Sequence, residues 1–217
     1  MKPFRDSYVQ DVDTLAVGLL QIGAVELRPN DPFTWSSGWK SPIYCDNRLV
    51  LGYPMLRDLV VSGFENIIAT DFPAVELVAG TATAGIPHAA ILADRLSLPT
   101  AYVRSQAKAH GRGKQIEGHV RAGMKAVVIE DTLSTGQSAY QAVSSLQEAG
   151  VDVLAVLSIL SYDFDAAGER IQESGVPAYR LVPYRSLVRV ARERGDVNDQ
   201  EVELLMRWRE APENFGM

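Results

Sequence analysis

The sequence predicts an α/β fold with a central, mostly parallel sheet flanked by helices. Three observations point to it. Between Val75 and Val156 short apolar, β-branched runs alternate with helical patterns, which is how strands buried on both faces and their covering helices read. The 217 residues contain no internal repeat, low-complexity tract or Pro/Ser-rich linker, so a single domain over 1–217 is expected. A composition of 47% hydrophobic and 22% charged residues supports a sizeable core and excludes a fibrous or disordered chain.

Val12, Leu15, Ala16, Leu19 and Ile22 fall at helical spacing, and Gly23 stands where a left-handed residue ends such a helix. From Phe33 to Arg48 aromatic and β-branched residues are broken at Ser37-Gly38 and Ser41-Pro42, the pattern of short strands joined by a turn. Pro54 is placed for the first turn of a helix that buries Leu56, Leu59, Val60 and Phe64. Strands are expected at Val75 to Ala79, Ala101 to Val103, Ala126 to Ile129 and Val153 to Leu160. Helices are expected from about Ile86 to Leu96 and around Ala139, Ala142, Val143 and Leu146. Val202, Leu204, Leu205 and Trp208 fit a last helix whose apolar face serves core or dimer packing. Open sheets of this kind place ligands beyond the carboxyl ends of their strands, so chemistry is expected after Ala79, Val103 and Ile129.

Twenty-one Lys+Arg against 27 Asp+Glu give a net charge of -6, which does not support a nucleic-acid coat. Cys45 stands alone, so no intrachain disulfide and no cysteine cluster for zinc can form. That fits a reducing compartment, with the cytoplasm as the expectation. Met1 to Asp6 lacks an apolar signal region and no run of about 18 apolar residues occurs, so neither secretion nor membrane spanning is expected. Cys45 reads as a small buried hydrophobe. His88 and His119 lack a carboxylate at metal spacing and read as structural, while Trp35 and Trp39 read as packing or shaping a site mouth.

Two segments stand out chemically. Val127-Val128-Ile129 runs into Glu130, Asp131, Thr132, Leu133, Ser134, Thr135, Gly136, Gln137 and Ser138: a strand, two adjacent acids, and a small-residue turn that opens a helix. Such a turn offers backbone N–H groups and hydroxyls to a phosphate, and the acids can accept hydrogen bonds from sugar hydroxyls. Together they point to a phosphorylated sugar. It is not a Walker loop, because no Gly-Lys-Ser/Thr follows a glycine at the required spacing. The plainer alternative is a capped helix after a buried strand, with both acids solvated. The second segment, Tyr102 to Gly118, holds five basic side chains and three glycines without an apolar period, and reads as a mobile basic loop. Arg104, Lys108 and His110 can converge there on a dense anion such as pyrophosphate, unless the run is simply a solvated surface loop.

Together these segments resemble the type I phosphoribosyltransferases. Phe33-Thr34-Trp35-Ser36-Ser37-Gly38, Lys40-Ser41-Pro42-Ile43-Tyr44, Ala79-Gly80-Thr81-Ala82-Thr83-Ala84-Gly85-Ile86-Pro87 and the Lys108-x-His110-Gly111 core narrow the resemblance to the orotate phosphoribosyltransferases, over about residues 10 to 165. The resemblance implies that fold, with a small hood mainly within 1–50, a phosphoribosyl pyrophosphate-binding core over about 65–165 and a flexible catalytic loop. It implies orotate and phosphoribosyl pyrophosphate as substrates, Mg2+ as cofactor, no metal ligand assigned directly from a side chain, and a homodimer whose Arg104 to Gly118 loop acts in trans. Arg104, Lys108, His110 and Asp131 are then catalytic. Glu130 and Asp131 match the ribose acids, Thr132 to Ser138 the phosphate turn, Ser134 an orotate-associated position, and Tyr44 the better residue for stacking on the base. Ser36, Ala84, Ser105 and Tyr162 depart from members with basic residues at or near those positions, leaving the partner of the orotate carboxylate unassigned. A purine phosphoribosyltransferase and a non-catalytic sensor of phosphoribosyl pyrophosphate are the alternatives. The intact basic loop and the acidic balance argue against the sensor.

Overall fold

The computed structural model describes residues 4–6, 12–34, 38, 40–105 and 115–215. The chain opens with β1 (Phe4–Asp6) and α1 (Val12–Gln21), followed by Gly23 at φ +70° as the left-handed stop. Four short strands follow, β2 (Val25–Leu27), β3 (Phe33–Thr34), β4 (Lys40–Ser41) and β5 (Ile43–Cys45). A 3-10 turn (Asn47–Gly52) then leads to α2 (Pro54–Asp71), with Pro54 at its first position. The alternating part comprises β6 (Leu77–Thr81), α3 (Gly85–Leu96), β7 (Thr100–Val103), β8 (Ile116–Gly118), β9 (Lys125–Leu133), α4 (Gln137–Glu148) and β10 (Asp152–Ser161). The chain closes with α5 (Asp165–Ser174), β11 (Ala178–Pro183), α6 (Tyr184–Arg194), α7 (Asp199–Glu210) and a last 3-10 turn (Pro212–Asn214).

The main sheet has the order β1-β11-β10-β9-β6-β7-β8, parallel throughout except for β8 against β7. Alternation along β9 divides the core. Val127 and Ile129 face the side packed with α1, α2, α3, α6 and α7, and Ala126 and Val128 face the side packed with α4 and α5. β2 pairs with β5 and β3 with β4, both antiparallel, forming two small sheets outside the main one. Trp208 is buried against Tyr162, Phe164 and Tyr184, so its helix serves the core. Among the described residues no helix is long and apolar enough to cross a membrane.

Three expectations are corrected. The strand expected to stop at Ile129 runs on to Leu133, because the long strand β10 beside it keeps its backbone paired as far as Leu133 opposite Ser161. The acids therefore lie inside the strand. The segment Tyr102 to Gly118 is not loop throughout: Val103 pairs with Ile116 and Ala101 with Gly118, so its ends form an antiparallel hairpin. Lys108 and His110 lie outside the described residues, as do Trp35, Ser36 and Trp39. Cys45 is half-buried rather than a core hydrophobe, with its sulfur 3.4 Å from Thr132 Oγ1, and burial pushes its thiol up to about 12.

Candidate active site

The site forms where β9 outlasts its neighbour β6. The β6–β9 pairing ends at Gly80 opposite Ile129, and beyond it Thr81 turns its hydroxyl toward the acid strand. That hydroxyl lies 3.2 Å from the Ile129 carbonyl and donates to Glu130 Oε1 at 2.7 Å. Ser138, in the first turn of α4, donates to Glu130 Oε2 at 2.7 Å, and the Asp131 N–H lies 3.2 Å from Oε1. Glu130 is only 5% exposed, on the α4 side of the sheet, and both its oxygens are held. Burial pushes its carboxyl up to about 7, against the lowering effect of the Thr81 bond and with the Asp131 charge raising it further. The solvated pair of the plainer reading is thus replaced by two unlike acids.

Asp131 points to the other face, toward the small sheets, and is half-buried. Asn47, fully buried, donates through Nδ2 to the Asp131 carbonyl and to Thr132 Oγ1, both at 3.0 Å. Tyr44 is 42% exposed on β5 and packs a tilted ring against Phe33 at 5.6 Å. The turn Ser134-Thr135-Gly136 brings the chain into α4, with Gly136 at φ +77° and no side chain capping the helix. The first N–H groups of α4 have no intrahelical acceptor, so the turn offers donors to an anion. Arg170 of α5 holds the turn from behind by donating to the Thr135 carbonyl at 3.0 Å. Leu133 is different from its neighbours: its side chain is buried in the core and its carbonyl accepts from the Tyr162 N–H, so it serves the turn by position only.

Arg104 follows β7 with its N–H bonded to the Gln115 carbonyl and its guanidinium 3.8 Å from Glu117. It shares a narrow cleft with Thr81, Ser105, Ser138 and Gln141. The hairpin thereby sets one expected pyrophosphate residue beside the acid strand and the phosphate turn. A wider cleft of about 630 Å³ lies among α5, α6 and α7 and contains none of these residues. Within it Arg180 pairs with Asp163 at 2.9 Å and Arg209 donates to the Asp163 carbonyl at 2.8 Å. His88 is fully buried on α3, where burial pushes its imidazole below the usual range. His119 is exposed after β8.

Thr81 and Asn47 are the residues that reading the sequence missed. Thr81 sat within a quoted motif without a role, and its partner Glu130 is 49 residues away. Asn47 had a usable signal, an Asp-Asn pair directly after a short strand, where such residues organise turns. Among the described residues no group of three or more His, Cys, Asp or Glu could hold a metal ion.

Residues 59–175 match the model of the phosphoribosyl transferase domain family. An orotate phosphoribosyltransferase of Bacillus cereus is 52% identical over 200 residues, which cover 92% of this chain and 95% of that protein. The crystal structure of orotate phosphoribosyltransferase from Aeropyrum pernix is similar with a TM-score of 0.73 and 31% identity, over 85% of this chain and 99% of that one. The structure of Leishmania donovani UMP synthase matches with a TM-score of 0.78 and 25% identity, over 93% of this chain and 42% of that longer one.

Proposed function

The chain belongs to the orotate phosphoribosyltransferase family of phosphoribosyltransferases, and from that membership we propose both its reaction and the part each site residue plays. The reaction joins orotate to the ribose 5-phosphate group of phosphoribosyl pyrophosphate, giving orotidine 5'-phosphate and pyrophosphate, a step of pyrimidine nucleotide biosynthesis. One observation carries the assignment of roles: a half-buried acid, Asp131, held only by a long contact from Thr132, and an uncapped helix turn, Ser134 to Ser138, stand together where β9 runs into α4. A phosphorylated ribose presents hydroxyls to the first and phosphate to the second.

Breaking the C1–O bond leaves positive charge on the ribose ring and negative charge on the departing pyrophosphate. Asp131 accepts the ribose hydroxyls and lends its charge to the ring. Thr132 and Ser134 to Ser138 hold the 5-phosphate. Arg104, with Lys108 and His110 brought over from the loop, meets the leaving pyrophosphate, where charge grows in the transition state. Tyr44, on the small sheets that we read as the hood, stacks on the pyrimidine. Orotate supplies its ring nitrogen as nucleophile, so no covalent protein nucleophile is required.

Magnesium suits this donor set. It binds through one or two carboxylates, keeps several waters and takes the rest of its ligands from substrate oxygens. Asp131 is the available carboxylate, since both Glu130 oxygens are already bonded. When bound, the ion supplies positive charge to the pyrophosphate.

We also place the Arg104 to Gly118 loop over the site of a partner subunit in a homodimer. Met55, 89% exposed, with Tyr53 and Leu49 forms apolar surface of the kind an interface covers. The net charge of -6 and the lone cysteine support a cytoplasmic enzyme that does not bind nucleic acid. Incubating the protein with magnesium, phosphoribosyl pyrophosphate and either orotate or a purine base tests the reaction. Orotidine 5'-phosphate from orotate is the expected product, and a purine nucleotide in its place would overturn the reading.

A further inference from the structure

Asn47 is fully buried, although it belongs to a short 3-10 turn between the small sheets and α2. Its Nδ2 donates to two acceptors on β9, the Asp131 carbonyl and Thr132 Oγ1. The amide orientation follows from chemistry: the carbonyl oxygen of Asn47 turned that way would oppose the Asp131 carbonyl. Thr132 Oγ1 accepts from Asn47, which leaves its own proton for Asp131 Oδ2, 3.5 Å away. Cys45 adds a further contact from the same short stretch, its sulfur 3.4 Å from the Thr132 hydroxyl. Two adjacent residues of β9, one of them the acid assigned to ribose, are thus gripped from outside the main sheet. Asp46 fixes the turn itself by accepting from the Arg48 N–H at 3.2 Å.

We infer that Asn47 is a positioning residue: from the small sheets it sets the backbone of Asp131 and the polarity of the Thr132 hydroxyl, and so couples the base side of the site to the ribose side. The inference rests on the proposed function for the identity of the ligand. Asn47 touches no substrate in this scheme. Its loss acts on phosphoribosyl pyrophosphate through Asp131, with orotate affected little.

The test compares Asn47→Leu, which keeps a similar volume and removes the donor, with Asn47→Ala, which removes both donor and volume. Binding of phosphoribosyl pyrophosphate with magnesium and no base is measured by calorimetry, followed by KM for both substrates. Asn47→Ala is expected to weaken that binding about tenfold, the scale of one ordinary buried hydrogen bond. Asn47→Leu should weaken it as much, because the donor is gone in both, and the orotate KM should stay within about twofold in both. A near-wild-type affinity in Asn47→Leu, or equal factors on the two substrates, would show a purely structural residue and overturn the inference. Should Asn47→Ala not fold, Asn47→Leu is read alone, and an unchanged affinity there overturns the inference as well. Wild-type turnover with orotate is read separately, so failure of the proposed function and failure of this inference are distinguishable.

Discussion

Glu130 and Asp131 are neighbours with opposite fates, because side chains alternate along a strand. Glu130 turns under α4 and is bonded by Thr81 and Ser138, and the Asp131 carboxylate stays half-buried, near enough for its charge to act on Cys45 and Arg48. The buried acid has a measurable consequence for folding. Its carboxyl is raised from 4.5 to about 7, so the folded protein holds this proton more tightly than the unfolded chain. Glu130 therefore contributes stability that is fully present below about pH 4.5 and lost as pH rises through about 7, on the order of 3 kcal/mol for a shift of this size. Glu130→Gln cannot titrate. Melting temperatures taken without substrate from pH 5 to 8 should show wild type falling against the variant by several degrees. A constant difference across that range would show that Glu130 does not change its proton on folding. The presence of two adjacent acids before the turn was legible in the sequence; their division was not, since it depends on Thr81, whose approach only the finished sheet creates.

The elements meet most closely where α3 begins. A Cβ added at Gly85 would stand 2.3 Å from the Ile129 carbonyl oxygen and 2.5 Å from Thr81 Oγ1, and one at Gly80 would stand 2.8 Å from the Ile86 Cα. The glycines let the start of α3 come down on the ends of β6 and β9, beside the Thr81 hydroxyl. Gly85→Ala must push the helix off backbone atoms, so a destabilisation of about 1–3 kcal/mol is expected, together with lost activity. Denaturant unfolding and steady-state rates check both, and a variant as stable and active as wild type would remove the close approach from the argument. The alternation of apolar runs and helical patterns made β6, β7, β9, β10 and the helices between them readable. The extension of β9 through Glu130 to Leu133 was not readable, because charged residues inside a strand contradict its pattern until a partner as long as β10 is known. β8 was hidden for a related reason: three residues among glycines and charges have no period of their own and pair only because β7 is there.

At the scale of the whole molecule, the phosphate turn and the basic loop arise at different places in the sheet. Asp131 and the turn belong to central β9, and Arg104 opens the β7–β8 hairpin at the sheet's edge. A loop anchored at an edge can serve its own site or a neighbour's, and subunit mixing separates the two. The Lys108→Ala and Asp131→Asn proteins should each be nearly inactive alone, the first through kcat because its charge is needed as pyrophosphate departs. If the loop acts in trans across a two-fold interface, exchange places both lesions in one site of the mixed dimer and leaves the other site wild type. Random exchange at equal concentrations makes about half the dimers mixed, each with one good site of two, so roughly a quarter of wild-type activity should return. If the loop served its own subunit, every site would keep one lesion and activity would stay absent. Mass labelling of one variant shows whether exchange has occurred, so silence after confirmed exchange would reject the trans arrangement and leave Lys108 serving the site formed by Asp131 of its own chain.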